Sequence, residues 1–207
     1  MAETAINTFA TLLVIINPFA VTSMFIDSTQ DLDNSIKRSI VNKAVLISAT
    51  LLTIFAFLGD YILDSLGISE AAFRIAGGII LGIAGLDMVM AKPNAIQTPT
   101  EEEHPNSQNI MDIAVFPLSI PLMAGPGSLT TVVLMMREAQ EINAHQQLYV
   151  LGSMYTALLV TWFIMQSSNQ VLKLFKRSGI NVLTRVFGII LCGLAVQSIL
   201  DGILKLN

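Results

Sequence analysis

Ile15-Ile16-Asn17-Pro18-Phe19-Ala20 interrupts a continuous apolar run, and Ile120-Pro121-Leu122-Met123-Ala124-Gly125-Pro126-Gly127-Ser128 does the same in the other half of the chain. Proline lacks an N–H and its ring clashes with the carbonyl one turn earlier, so a helix must kink or stop at each. The residue before the key proline, Asn17 or Gly125, has a permissive backbone. Small and hydroxyl residues follow: Ala20, Thr22 and Ser23 after the first break, and Gly127, Ser128, Thr130 and Thr131 after the second. In lipid the freed backbone groups have no water to bind, so such a break must face protein or a wet cavity. Matched breaks in two halves of a membrane chain point to a transporter's substrate site.

That the surroundings are lipid follows from composition. Of 207 residues, 53% are hydrophobic and only 13% charged, with a mean hydropathy of +0.68. A soluble domain carries about 25% charged residues, so half that density cannot cover a wet surface. The net charge of -4 is spread over short loops, and no basic patch interleaved with aromatics suggests nucleic acid. Cys192 is the single cysteine and has no partner for an intramolecular disulfide. His104 and His145 stand apart in polar loops and form no metal constellation. No cofactor is implied. The N-terminal stretch has Glu3 and no basic residue before its apolar run, so it reads as a retained span rather than a cleaved signal.

Stretches of about 20 apolar residues give six spans. They run from about Ala5 to Phe25, Val41 to Ile62, Ala71 to Met90, Ile113 to Met136, Leu148 to Met165 and Val186 to Leu204. Residues 92–110 hold Pro93, Pro99, Pro105 and Glu101-Glu102-Glu103, a composition that reads as a flexible cytoplasmic linker. Lys37, Arg38, Lys43, Lys92, Lys173, Lys176, Arg177 and Arg185 fall after spans one, three and five, whereas the opposite side holds Arg74, Arg137 and Lys205. The positive-inside rule puts the first set in the cytoplasm and both termini outside.

The halves repeat. Pro18 and Pro126 are 126 − 18 = 108 residues apart, and Gly78-Ile79-Ile80-Leu81 recurs as Gly188-Ile189-Ile190-Leu191 at 188 − 78 = 110. At that offset Gly78, Gly82 and Gly85 match Gly188, Cys192 and Ala195, and Asp87 matches Gln197. Small residues at i, i+4 and i+7 share a helix face and let backbones approach, which makes Gly78, Gly82, Gly85, Gly188 and Cys192 candidate helix-packing positions. Spans two and five show no convincing match. Three spans per half is an odd number, so the second half must enter from the opposite side. The expectation is an all-α membrane protein, a 3+3 inverted repeat with discontinuous first and fourth spans. Residues 1–91 and 111–207 are the repeats, joined by the linker into one membrane domain.

A broken helix offers N–H groups with partial positive charge at the start of its second half and carbonyls at the end of its first. Here the N–H ends fall near Ala20-Val21 and Gly127-Ser128, and the carbonyl ends near Ile16-Asn17 and Met123-Ala124. Together they suit the carboxylate and ammonium of a small zwitterion without any charged side chain. The candidate substrate-binding residues are Asn17, Pro18, Ala20, Thr22, Ser23, Ala124, Gly125, Pro126, Gly127, Ser128 and Thr131. Competing with this are proline kinks that serve packing, and hydroxyls that bond back to their own helices. Asn17 is expected to cap its half-helix as well as meet substrate. Arg74 and Asp87 sit near opposite ends of one helix and are expected to snorkel or pair at the interface. Asp60, Asp201 and Arg137 fall at the outer end, as a gate or as simple pairs. With no midplane carboxylate for a proton relay, a coupling ion, sodium or proton, would have to use carbonyls and hydroxyls, which suits sodium.

Ile16-Asn17-Pro18-Phe19, Ile75-Ala76-Gly77-Gly78-Ile79-Ile80, Phe116-Pro117-Leu118-Ser119-Ile120-Pro121 with Ala124-Gly125-Pro126-Gly127, and the closing Asp201-Gly202-Ile203 resemble the MarC family. The resemblance runs nearly end to end. It implies a six-span bacterial inner-membrane protein of a family also called the neutral amino acid transporter family, with some archaeal members similar to glycine and alanine transporters. Many relatives carry Asp-Pro-x-Gly where this chain has Asn17-Pro18-Phe19-Ala20. The expected activity is secondary transport of small neutral amino acids by alternating access, with a small-molecule substrate and the lipid bilayer as partners. Export of hydrophobic metabolites or drugs would call for an aromatic-lined cavity, and a non-transporting scaffold for breaks sealed by packing. No nucleophile–base pair or metal cluster appears within the spans, so an enzyme is not expected.

Overall fold

Proline placement explains where the helices start and stop. The computed structural model describes residues 2–90 and 113–206, and these form eight helical segments. They are α1 (Ala2–Ile16), α2 (Pro18–Ser28), α3 (Asn34–Ser65), α4 (Glu70–Met90), α5 (Ala114–Met123), α6 (Pro126–Ile142), α7 (Ala144–Gln166) and α8 (Ser168–Leu204). Five runs are long and apolar enough to cross a membrane, the first being α1 with α2, and a sixth results if the bent pair α5–α6 counts as one. The six expected spans fall on these runs. The expected linker, 92–110, lies outside the described residues.

Residues preceding a proline are pushed out of the helical region by the ring's Cδ. Phe116 (φ -120, ψ 127) and Ile120 (φ -119, ψ 122) obey this inside α5, whose turns are wide and π-like, and Gly125 (φ -78, ψ 174) obeys it at the start of α6. The α5–α6 pair bends by 51° as a result. Asn17 answers the same constraint differently, in the left-handed region (φ 48, ψ 75), a conformation that Asn tolerates better than most residues. At the end of α3, Gly67 (φ 68) makes a Schellman stop, in which the Ile68 N–H reaches the Leu63 carbonyl at 2.9 Å and the Gly67 N–H that of Asp64 at 3.1 Å.

One expectation is corrected here. The stretch holding Lys173, Lys176 and Arg177 reads as a loop from its charges, yet it is the helical start of α8. Only Lys176 (φ 51) breaks the helix. Phe19 explains the docking: its ring meets Phe175 and Phe187 edge-on at 5.9 Å, on either side of that kink. Arg177 also donates to Asp27 at the end of α2, at 2.8 Å.

Leu46, Phe57, Leu58, Ile79, Ile83, Leu86, Leu159, Phe163, Ile189 and Val196 stay exposed around the bundle, as a lipid-facing belt would. Inside, Leu12, Ile16, Val21 and Phe25 pack with Ile40, Ala44, Leu52, Leu118, Met123, Met154, Leu158 and Met165. The two halves interleave. α1 packs on α7 and α5 on α3, while α2 packs on α8 and α6 on α4.

The most extensive contact joins α4 to α8, running antiparallel. A Cβ added to Gly78 would lie 2.8 Å from the Ala195 carbonyl oxygen, one on Gly85 2.8 Å from Cys192 Sγ, and one on Gly202 3.0 Å from the Ala71 carbonyl oxygen. Small residues therefore set the helix separation at Gly78, Gly85, Gly188 and Cys192, whereas Gly82 meets only Ala195 Cβ at an ordinary 3.6 Å.

Candidate functional site

Both interruptions come to rest on the same stretch of α4. Asn17 is fully buried, its Oδ1 accepting from the Ala20 N–H at 3.2 Å and its Nδ2 pointing at Met88 Sδ, 3.6 Å away. From the other side, a Cβ on Gly127 would fall 2.6 Å from Leu81 Cδ2 and 3.5 Å from Ile15 Cγ2. Ile15, Leu81, Ala84, Met88, Leu191, Pro121 and Gly125–Ser128 line a void of about 20 Å³ at the second break, which Ile15 reaches from the end of α1. A void of that size holds about one water.

The polar groups around it are unevenly satisfied. α2 caps itself through Asn17, but Gly125 gives α6 no side-chain cap. The first N–H groups of α6 therefore lack an intrahelical partner where they border the void. Ser128, 1% exposed, lines the void and has no partner for its hydroxyl among the described residues. Near the end of α1, outside the lining of the void, the Val14 carbonyl loses its ladder donor because residue 18 is proline. The void thus has an N–H end and a free hydroxyl on a small, mainly apolar space.

Of the residues expected to bind substrate, Gly125, Pro126, Gly127 and Ser128 line the void, and Asn17 stands behind Met88. Ala124 is buried next to it, its N–H held by the Ser119 carbonyl at 2.8 Å. Pro18, Ala20, Thr22 and Ser23 do not line it; they continue along α2. Thr22 is fully buried, its hydroxyl without a partner among the described residues. Thr130 bonds back to the Pro126 carbonyl at 2.8 Å, and its methyl fills the space above Gly77. Thr131 lines a different cavity of about 220 Å³, nearer the Arg74 end of the bundle. Leu81 borders both spaces.

That end is closed by charge. Arg74 Nη2 donates to Glu70 at 2.7 Å and to Glu138; Glu70 also takes Lys205 at 2.6 Å. Arg137 lies 2.6 Å from Asp60 and 3.4 Å from Asp64. The residues belong to α3, α4, α6 and the C-cap of α8, so the network ties four helices together. Sequence reasoning singled out Arg74, Arg137 and Asp60 but not Glu70, Glu138 and Lys205 as their partners. The Glu70–Arg74 spacing of i,i+4 was the available signal. Arg74 does not snorkel; it is 7% exposed and held inside by its carboxylates. Asp87, at the other end of α4, keeps one buried carboxylate oxygen without a partner among the described residues.

Comparison with known proteins gives the same reading of the chain as its motifs. The family model described as MarC family integral membrane protein matches residues 2–206. A UPF0056 membrane protein of Methanocaldococcus jannaschii is 37% identical over 195 residues, covering 94% of this chain and 93% of its own. One of Pyrococcus horikoshii is 33% identical, with 96% of each chain covered, and one of Buchnera aphidicola 32% identical, with 96% and 95% covered. Archaeal and bacterial proteins thus share nearly the whole length. No solved structure matches the chain. With motifs, spans and family model in agreement over nearly every residue, the chain belongs to the MarC family of integral membrane proteins.

Proposed function

We propose that this protein is a secondary transporter of small neutral amino acids, glycine- or alanine-like zwitterions, that works by alternating access. The observation that carries the reading is a small void at the second helix break, reached by Ile15 from the end of α1, with the unpaired Ser128 hydroxyl on its wall. The substrate carboxylate takes the uncapped N–H groups of α6 and the Ser128 hydroxyl; the ammonium takes carbonyls freed at Val14 and its neighbours. No charged side chain is needed, which suits a solute without net charge. At about 20 Å³ the void holds no amino acid, so the conformation is a closed one and binding requires the bundle to open.

The packing of α4 on α8 supports an inverted repeat of residues 1–91 and 111–207. At the offset of 110, Gly78 corresponds to Gly188 and Gly85 to Ala195. The contact of Gly78 with Ala195 then has a counterpart in that of Gly85 with Gly188. A two-fold axis in the membrane plane produces that reciprocity, and so does the pairing of α1 on α7 with α5 on α3. Two related halves have two related arrangements, one open to each side. The chain sits in the inner (plasma) membrane with both termini outside, the basic side of α2, α3, α7 and α8 in the cytoplasm.

Reconstituted in liposomes, the protein should take up radiolabelled glycine and alanine, with sodium and proton gradients imposed in turn to identify the coupling ion. Asn17→Ala and Gly125→Leu should each abolish specific uptake. If both variants transported like the parent protein, the breaks would not be the site.

A further inference from the structure

The end of the bundle away from the Arg74 network holds a polar cavity of about 270 Å³, at the starts of α3 and α8. Lys37, Arg38 and Lys173 line it, and among the described residues no carboxylate does. Phe25 and Met165, both buried, give it an apolar inner wall. Lys37 Nζ reaches the Gln30 carbonyl at a long 3.4 Å, while Arg38 and Lys173 are in no hydrogen bond or ion pair among the described residues. Asp27, on the same side of the bundle, is taken by Arg177 at 2.8 Å. Ser168 lines the cavity and is 8% exposed. Its hydroxyl has no partner among the described residues yet keeps accessible surface, which at that depth is the cavity's. Both flanking helices begin here without a side-chain cap, α3 after Asp33 and α8 after Ser167. Helix starts of this kind add partial positive charge to the same rim. Three cations around one hollow repel each other unless an anion sits among them.

We propose that this cavity binds a phosphate group of net negative charge. Arg38 offers it a guanidinium fork, Lys37 and Lys173 point charges, and Ser168 a buried hydroxyl donor. A carboxylate has two oxygens on one side, whereas the oxygens of a phosphate point several ways and can meet donors from α3 and α8 at once. Bound there, it bridges two helices that scarcely touch each other directly. The same phosphate chemistry has two sources: the headgroup of an anionic phospholipid, for which a basic pocket between spanning helices is a fitting seat, or a soluble phosphate from the basic side. The site does not depend on the transport reading and shares no lining residue with the void at the breaks.

The test uses the full chain, purified in an uncharged detergent and stripped of lipid. Native mass spectrometry reads retention of dioleoyl phosphatidylglycerol, with dioleoyl phosphatidylcholine as the control of no net charge. Equilibrium dialysis reads binding of radiolabelled inorganic phosphate. At least one of the two anionic probes should bind, one molecule per chain. Arg38→Gln together with Lys173→Gln should weaken that binding at least tenfold. Lys43→Gln together with Arg185→Gln removes as much charge outside the lining of the cavity and should change it less than twofold. Ser168→Leu fills the cavity without removing charge and should also weaken binding at least tenfold; if it does not fold, the two charge pairs decide. Retention of phosphatidylglycerol alone assigns the phosphate to lipid, and binding of inorganic phosphate assigns it to a soluble source; either outcome supports the site. Binding of neither probe, phosphatidylcholine retained as well as phosphatidylglycerol with no inorganic phosphate bound, or equal weakening by the two charge pairs would overturn it.

Discussion

Gly85 and Gly188 lie backbone to backbone: a Cβ on Gly85 would fall 3.0 Å from the Gly188 carbonyl oxygen, and one on Gly188 2.9 Å from that of Gly85. Neither side can yield by turning a rotamer, because the obstruction is main chain. Gly85→Ala and Gly188→Ala should each destabilise the protein by about 1–3 kcal/mol, the usual cost of overpacking. Gly193→Ala, on the same helix but with nothing within 4 Å of its Cβ position, should be neutral or slightly stabilising. Thermal unfolding of the three variants in one detergent checks the order.

Asn17 does two jobs, accepting the left-handed backbone and capping the Ala20 N–H. Asn17→Gly keeps the first and loses the second; Asn17→Ala loses both. Glycine in place of an Asn cap costs only a few tenths of a kcal/mol, while alanine should cost about 1–2 kcal/mol for the cap and the backbone together. Stability should fall in the order Asn, Gly, Ala, read from denaturation in detergent. An Asn17→Ala protein as stable as the parent would show that the break does not depend on this residue.

Ser128 offers the cleanest separation of function from folding. Its hydroxyl is buried without a partner among the described residues, so Ser128→Ala removes an unsatisfied group and should leave stability unchanged or slightly raised. If the hydroxyl bonds a carboxylate, about 1.5–3 kcal/mol of binding disappears, roughly a ten- to hundredfold rise in the half-saturating glycine concentration. Uptake kinetics beside a melting curve report both. A fall in stability with unaltered uptake would make Ser128 a packing residue.

The two arginines at the charged end should differ in weight. The Arg74 side chain is 9% exposed and is shared by Glu70 and Glu138, whereas that of Arg137 is 25% exposed. Removing Arg74 leaves Glu138, half exposed, without its partner and Glu70 with Lys205 alone, so Arg74→Ala should cost about 1–3 kcal/mol. Arg137→Ala should cost less, and its effect should shrink with added salt, because an exposed pair is worth about 0–1 kcal/mol and is screened. Unfolding of both variants at low and high ionic strength makes the comparison.

Much of the architecture was legible in the residues. Twenty-residue apolar runs mark spans because only a helix satisfies its own backbone in lipid. The prolines at 18, 117, 121 and 126 mark irregular backbone because the ring excludes the preceding residue from helical geometry. Gly78, Gly85 and Gly188 announced a close helix contact because only small side chains permit one. Those are local rules, carried by spacing and residue type alone.

What spacing could not supply is which groups meet across the bundle. Thr22 and Ser23 follow the first break as Ser128 follows the second, yet only Ser128 reaches the void, because α2 runs on past it while α6 begins beside it. Asn17 caps α2 from its place in the sequence, but that its Nδ2 meets Met88 and that Thr131 lines another cavity are facts of helix rotation and depth. Arg74 takes the pairing alternative of the sequence reading, and one of its partners, Glu138, stands 64 positions away on α6. Sequence periodicity says which face of a helix is apolar or small; only tertiary packing assigns each polar group its neighbour, and an unpaired group such as Ser128 Oγ is visible only once every possible partner has a position.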